Sequence, residues 1–174
     1  MGLCKTYMQQ LSFNGTTYTK GSVVDLLETY NIGCENFPFK VMPEAKELPK
    51  RDFPDENGVE VFAPTQMPLK DYEIDVIFIY KGNESSMRSD VQNFLNFLYG
   101  RNNGAVGSTF AIYDEHVKIG RKDVRVKRVG NEFFYDEDYD DEKQAGFKVT
   151  FNVDDPATDV VPQYSGSTLV ALNF

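Results

Sequence analysis

Hydrophobic and polar residues alternate along several segments of the chain, and one segment is long enough to predict a central strand. In residues 72–80 (YEIDVIFIY) every second side chain is apolar, while Glu73 and Asp75 begin the opposite face. A period of two is that of a β-strand, whose side chains point alternately to the two faces of a sheet. Ile77 and Ile79 predict that the second face becomes buried as well.

The residues after this strand repeat their apolar side chains every three or four positions, which predicts a helix over about 86–99. The apolar stripe consists of Met87, Val91, Phe94, Leu95 and Leu98. Ser85 and Ser86 can cap the amino end of this helix, and Gly100 supplies a usual stop. This is the strongest helix in the sequence.

A shorter helix is predicted nearer the amino terminus, over residues 22–30 (SVVDLLETY), with Ser22 as its cap. Its apolar positions have the same helical spacing and are Val23, Leu26, Leu27 and Tyr30. The two β-branched valines at its start are less favourable in a helix than the leucines that follow.

Four further segments have the composition and spacing of strands. They are residues 109–113, 117–119, 124–129 and 147–153, separated by polar or glycine-containing turns. Antiparallel pairing is the natural topology for short strands of this kind, including a pairing of 124–129 with 147–153. The last segment, 163–174, mixes small polar and apolar residues, so it is either a final strand or a tail that a partner orders.

Residues 37–68 interrupt this regular pattern with six of the eight prolines of the chain. Each proline removes a backbone donor and fixes φ, so the segment forms neither a helix nor a central strand. Asp55–Gly58 (DENG), followed by an alternating pattern from Val59, predicts a turn that enters a short strand. We therefore predict an extended arm, and long segments of this kind usually have a function.

These elements predict an α+β fold of mainly antiparallel sheets, arranged as a β-sandwich or barrel, with one packed helix. No internal repeat or glycine- and serine-rich linker divides the chain, so residues 1–174 are interpreted as one domain. A length of 174 residues is sufficient for a hydrophobic core without disulfides or metals.

The overall charge and hydropathy exclude several classes of partner. The net charge of −9 argues against nucleic-acid binding, because such binding depends on Lys and Arg that displace counterions from phosphates. No apolar run is long enough for a membrane span, and the first ten residues do not resemble a secretory signal, so cytoplasmic synthesis is expected. Gly2 and Thr6 fit the short myristoylation pattern, although an ordinary amino terminus is the simpler interpretation.

The residues that could carry catalysis are few. Cys4 and Cys34 lack the spacing of a metal site, and His116 is the single histidine. A catalytic histidine would therefore need one of these two cysteines beside it in the fold, and a hydrogen-bonded or solvent-facing histidine is the simpler interpretation. Neither GxGxxG nor GxxxxGK[ST] occurs. We predict no enzymatic activity and no cofactor.

Charge is segregated between two neighbouring segments. Residues 132–142 (EFFYDEDYDDE) hold seven acidic side chains and no basic one, whereas residues 118–128 hold six basic side chains and one acidic one. Asp136, Asp138 and Asp140 suggest a calcium site, but the glycine and glutamate of an EF-hand loop are missing, so a looser ion site or a solvated hairpin loop are the alternatives. The basic segment could complement a neighbouring subunit or form an ordinary charged surface.

The order of these features resembles one protein family. A proline-rich arm ends in PKRDFPDENGVEVF and precedes the strand DYEIDVIFIY, the capped helix, the basic strand KDVRVKRVG, the acidic loop and FKVTFNVDDP. This series is similar to the N-terminal ring domain of siphophage distal tail proteins, a family related to tail-tube proteins, and the similarity covers roughly residues 10–160. Many distal tail proteins have a further carbohydrate-binding-like domain that this sequence does not include.

The resemblance implies a structural protein of a phage or prophage tail that assembles in the host cytoplasm into a homo-oligomeric ring. We expect this ring to be a hexamer, with other tail or baseplate proteins as partners. We expect its oligomer interface on the arm. The predicted interface residues are Arg51, Asp52, Phe53, Asn57 and Gly58. We expect an acidic loop to face the channel, and its predicted channel-facing residues are Asp136, Asp138, Asp140 and Asp141.

The alternative is a carbohydrate-binding β-sandwich module, although the absence of Trp makes sugar stacking less favourable. Sequence-specific binding to nucleic acid and binding to a membrane are not expected.

Overall fold

Antiparallel pairing joins most of the strands into one sheet. The computed structural model describes residues 3, 5–130, 134–136 and 144–174. The elements are β1 (Thr6–Phe13), β2 (Tyr18–Asp25), α1 (Leu26–Tyr30), β3 (Ile32–Cys34), β4 (Lys50–Arg51), β5 (Glu60–Val61), β6 (Tyr72–Tyr80), α2 (Met87–Leu98), β7 (Thr109–Asp114), β8 (Ile119–Val129), β9 (Phe134–Asp136), β10 (Gln144–Val153), β11 (Val161–Ser165) and β12 (Thr168–Asn173).

The main sheet contains eight strands, in the order β2-β1-β7-β8-β10-β6-β3, and β9 pairs with the first residues of β10. The predicted pairing of 124–129 with 147–153 is confirmed, since Val153 lies opposite Val124 and Val149 opposite Val129. Two small sheets, β4–β5 and β11–β12, lie outside the main sheet. The predicted α+β class, with mainly antiparallel sheets and one packed helix, is confirmed.

Aromatic side chains dominate the core between the inner face of the sheet and α2. Phe78 of β6 lies at its centre, with its ring centroid 5.1 Å from that of Phe94 on α2 and 5.7 Å from that of Phe147 on β10. Phe37, from the start of the arm, joins the same cluster at 6.0 Å from Phe78. All four side chains are buried. Residues from β1, β6, β7, β8 and β10 all contribute to this core.

A second, smaller core lies on the outer face of β1 and β7. Tyr7 and Leu11 of β1 and Ala111 of β7 pack there against Leu169 and Leu172 of the C-terminal hairpin. The segment 163–174 is therefore mostly the second half of a hairpin that covers the sheet, and of the two alternatives from the sequence the strand is correct.

The helix predicted over 22–30 is wrong in its first half. Residues 22–25 belong to strand β2, where Val23 and Val24 pair with β1. β-branched side chains pack well on a pleated sheet, and this preference outweighs the helical spacing here. The helix begins only at Leu26, and its cap is Asp25, whose carboxylate accepts a hydrogen bond from the N–H of Leu27 at 3.0 Å.

The strongest predicted helix is confirmed as α2, with Val91, Phe94 and Leu98 buried as expected. Ser86 occupies the N-cap position, but its side chain makes no capping hydrogen bond. Phe97, which the predicted stripe omitted, is buried as well.

Two strand predictions need correction. The separate strand at 117–119 does not form, because Val117 and Lys118 lie in a turn and β8 begins at Ile119 as one long strand. β6 is confirmed over 72–80, but its second face is not buried: Ile77 is exposed and Ile79 is only half-buried. Strand β1 was not predicted at all.

Candidate assembly surface

The proline-rich arm folds out and back as a two-stranded ribbon. At its base Ala45 bridges to Leu69, and the N–H of Lys70 donates to the carbonyl of Glu44 at 2.8 Å. Farther out, β4 pairs with β5, so residues 44–70 form one hairpin, called the arm hairpin below. The predicted turn at 55–58 followed by a short strand is thereby confirmed.

The tip of the arm hairpin turns on a glycine. Gly58 has φ of +80°, a left-handed conformation that glycine adopts without strain, and a side chain at this position would meet no atom within 4 Å. The N–H of Glu56 donates to the carbonyl of Phe53 at 3.1 Å and closes the turn. The space beside Gly58 is therefore open.

Large apolar side chains are exposed along this arm. Phe62 is 73% exposed and Val41 and Met42 are each 75% exposed. The other exposed apolar side chains of the arm are Phe53, Val59, Val61 and Met67. β4 and β5 have their only substantial contacts with each other among the described elements. A two-stranded hairpin is marginally stable alone, and contiguous exposed apolar surface usually marks an interaction site.

The predicted interface residues all lie on the arm hairpin. Arg51 is in β4, and Asp52, Phe53, Asn57 and Gly58 follow in the tip, where all of them are exposed. The structure thus places all five residues at exposed positions in or next to the tip. The sequence did not indicate that apolar residues of the arm, such as Phe62, are exposed, because an apolar residue is assigned to the core by default.

Three side chains from three strands hold the root of the arm, residues 37–40. The buried carboxylate of Asp114 on β7 accepts the N–H of Phe37 at 2.7 Å, and the hydroxyl of Tyr72 on β6 accepts the N–H of Lys40 at 3.0 Å. Arg121 on β8 donates to the carbonyl of Lys40 at 3.3 Å. Side chains of the sheet therefore hold the root of the arm, in addition to the burial of Phe37 in the core.

Arg121 is the most unusual member of this group, because its charge is buried while its counter-ion is not. The guanidinium is almost fully buried and donates to Asp159 at 2.5 Å, whereas the side chain of Asp159 is 81% exposed. A second hydrogen bond, 2.9 Å long, goes to the carbonyl of Gly120. Removing one partner of such a pair leaves an uncompensated charge in the protein. The sequence showed Arg121 only as part of a basic run.

Most of the basic residues of 118–128 have acidic partners within the chain. Arg125 pairs with Asp154 at 2.8 Å and Lys127 with Glu73. Lys122 lies 3.4 Å from Asp155. Burial lowers the pKa of Lys122, but the hydroxyl of Tyr18 and the neighbouring carboxylates raise it more, so the pKa lies above its ordinary value. Together with the Arg121 pair, these contacts favour the ordinary charged surface over complementation of a neighbouring subunit.

The predicted acidic site lies largely outside the described residues. Asp136 is the last residue of β9, which pairs with β10 through Gln144. Asp138, Asp140 and Asp141 are not described, so their orientation towards a channel stays a prediction. In the part of the chain that is described, no group of three His, Cys, Asp or Glu is placed to hold a metal ion.

The candidate catalytic residues lie in different settings. Cys34 is buried in β3 beside the hydroxyl of Thr6 at 3.5 Å, whereas His116 is exposed in the turn after β7. The backbone N–H of His116 donates to Asp114 at 2.9 Å. Cys4 lies outside the described residues. No helix of the described chain has the length and apolar character needed to cross a membrane.

Comparison with protein-family models gives no match, and comparison with curated proteins gives none either. Among solved structures, the chain is similar to the Dit protein (gp 19.1) of phage SPP1, described as a paradigm of the hub adsorption apparatus in phages that infect Gram-positive bacteria. The TM-score is 0.48 and the sequence identity is 16%. The similarity covers 86% of this chain and 50% of Dit, so the chain spans half the length of that structure.

Proposed function

We propose that this protein is a structural subunit of a phage tail, which assembles through its arm hairpin into a homo-oligomeric ring around the tail channel. The observation that carries the assembly part is the apolar surface on a hairpin that contacts little of its own chain. The resemblance of the sequence to distal tail proteins supports the phage-tail part. In a ring, the arm of each subunit contacts the next subunit.

Two physical features suit the arm hairpin to this role. β4 and β5 form a two-stranded sheet, so each has an edge with unpaired backbone groups that can contact another chain. Identical subunits can contact one another head to tail through the same two surfaces. Such contacts close into a ring when the rotation between neighbouring subunits divides a full turn evenly. A ring of six subunits, with an acidic surface towards the channel, is the arrangement we expect.

The oligomeric state of the purified protein tests this proposal. Multi-angle light scattering should give a discrete particle near six times the 19.8 kDa of one chain, and negative-stain microscopy should show rings. A chain that stays monomeric at high concentration would contradict the proposal.

A matched pair of variants tests the role of the arm. Val61 on β5 and Val170 on β12 are 46% and 48% exposed, and both lie in two-stranded hairpins. Val61→Asp should weaken assembly by roughly tenfold or more, because it introduces a charge into the apolar contact. Val170→Asp should leave assembly unchanged. Equal effects of the two substitutions would show that the arm is not the specific interface.

The position of the acidic stretch can be tested on the same rings. A reconstruction in which Asp136 faces the outside of the ring would contradict the predicted channel orientation. The alternative function, carbohydrate binding, predicts retention on a glycan array by a protein that does not assemble. We also propose that the protein has no catalytic activity, and a reaction abolished by His116→Ala would refute this.

A further inference from the structure

The surface around the root of the arm has the properties of a docking site for the arm tip. Val41, Ile119, Val161 and Pro162 line a concavity there, beside Lys118 and the Arg121–Asp159 pair. We call the four apolar residues and Lys118 the root surface. Val41 and Val161 are exposed, so the apolar part of this concavity is open to solvent.

Lys118 gives the root surface an available positive charge. Its side chain is exposed, and it has no acidic partner within 4 Å among the described residues, unlike Arg121, Lys122, Arg125 and Lys127 of the same basic run. The turn that carries Lys118 is closed by its N–H, which donates to the carbonyl of Asp114 at 2.9 Å. The backbone that carries Lys118 therefore has a defined conformation next to the root.

The tip of the arm hairpin has the opposite charge and a matching apolar group. Residues 52–59 (DFPDENGV) include the acidic side chains of Asp52, Asp55 and Glu56 and no basic one. Phe53, at the same tip, is partly exposed. An acidic tip with an exposed aromatic ring complements an apolar concavity that carries a lysine.

The length of the arm decides which copy the tip can reach. From Glu44 to Asp55 the extended chain spans at most about 36 Å, at about 3.3 Å per residue. The rest of the chain, treated as a compact body, has a diameter of about 38 Å. Equivalent points on neighbouring subunits of a head-to-tail ring lie about one body diameter apart. The largest span of the arm is therefore close to the separation of neighbouring roots, so only an almost fully extended arm brings its tip to the root of the next subunit.

We propose that the arm tip of one subunit, through Asp55, Glu56 and Phe53, docks on the root surface of a second copy of this chain, with Lys118 as the charge that it recognises. This inference rests on the proposed function, because it names the acceptor of the same arm. Successive arms then follow one another around the ring, each beginning where the preceding arm ends.

A second groove, on the outer face of α2, is the competing acceptor. Leu95, Tyr99 and Val129 line it together with Arg101. The root surface is the better acceptor, because Val41 and Val161 are 75% and 59% exposed and so have apolar area to bury, whereas Leu95 and Val129 are already partly buried.

The test exchanges charges between tip and acceptor. Lys118→Asp is the acceptor variant, because φ at this residue is +58° and aspartate tolerates this conformation better than most residues. Asp55→Lys combined with Glu56→Lys is the tip variant. Each variant alone should need about tenfold or more protein for half-assembly at low salt, and the effect should shrink as salt screens the charges. Arg101→Glu is the control and should assemble normally.

Mixing makes the test specific. In an equimolar mixture, the acidic tip of the acceptor variant meets an unchanged Lys118, and the lysines of the tip variant meet Asp at 118. Assembly should therefore return to near the unmodified level. If the unmodified chain forms rings but the Lys118 variant does too, or if Arg101→Glu blocks assembly instead, this inference is wrong while the proposed function stands. If the unmodified chain forms no rings, the proposed function itself fails.

Discussion

Asp114 provides a sharp test of how the body holds the arm. Its carboxylate is fully buried and accepts two backbone N–H groups, from Phe37 at 2.7 Å and from His116 at 2.9 Å. Asp114→Ala removes both acceptors and leaves at least the buried N–H of Phe37 without a partner. The substitution changes no apolar contact of the aromatic core directly, so its effect reports on these two hydrogen bonds.

The expected loss follows from the number and kind of bonds. A hydrogen bond to a charged group contributes about 1.5–3 kcal/mol, so two of them give about 3–6 kcal/mol. Removing the carboxylate also removes the cost of burying its charge, and this offsets part of the loss. We therefore expect the free energy of unfolding to fall by about 3–4 kcal/mol, which is a large part of the ~5–15 kcal/mol that a domain typically has.

Urea unfolding measures this change, since a lower midpoint with an unchanged slope reports stability alone. Asp114→Asn keeps one side-chain oxygen and should lose about half as much. Hydrogen exchange should accelerate at Phe37 and Lys40 in the Asn variant, while amides of α2 keep their protection. A loss below about 1 kcal/mol for Asp114→Ala, or equal exchange along the whole chain, would refute the reasoning.

Three further outcomes are expected. Phe78→Ala should lower the free energy of unfolding by about 3–5 kcal/mol, because it leaves a cavity among buried aromatic rings. The exposed Phe62 is the control, and Phe62→Ala should change the free energy of unfolding by less than about 0.5 kcal/mol. Urea unfolding of both variants measures these changes. Burial first, and the hydrogen bond to Asp90 second, raise the pKa of Tyr80 from 10.0 to about 12. The contribution of Tyr80 to stability is therefore complete below pH 10 and should be lost between pH 10 and 12. Tyr80→Phe should make pH-dependent unfolding less steep in this range without abolishing the slope, because burial also raises the pKa of Tyr7 to about 12. Burial would raise the pKa of Asp155, but the hydrogen bonds that this carboxylate accepts from the following turn lower its pKa below 3.8. The contribution of Asp155 to stability should therefore be lost as the pH falls below 3.8 and the carboxylate is protonated, and acid unfolding of Asp155→Asn should lack this contribution.

Periodicity predicted the elements whose two faces differ clearly. β6 has an apolar face that alternates with a polar one, and α2 has a continuous apolar stripe, so both were predicted within a few residues. β1 has neither pattern, because Gln9 and Gln10 are buried in it. Both side chains donate to groups elsewhere in the chain: Gln10 donates to the carbonyl of Phe97 at 3.0 Å, and Gln9 donates to the carbonyl of Gly21 at 2.7 Å. A sequence does not show such partners in advance.

The candidate site was predicted only in outline. The prolines and the DENG turn located the arm, because both act through local backbone geometry. Other features depend on which strands become neighbours, and this is a property of the whole sheet. They are the exposure of Phe62 and the hydrogen bonds from Asp114 and Arg121 to the root of the arm. Asp114 gave one weak signal, since it is an acidic residue that follows the apolar run FAIY of β7.

The charged and the apolar exposed residues have different consequences for assembly. Several outward-facing charges on and beside β6, β8 and β10 are already paired within the chain, as in Arg125 with Asp154 at 2.8 Å and Lys127 with Glu73. Such exposed pairs add little stability in water, but burying them in an interface would cost desolvation that their attraction does not recover reliably. The apolar side chains of the arm hairpin have no such cost, and their burial is favourable. Assembly that covers the arm and leaves this sheet face in water is therefore favoured.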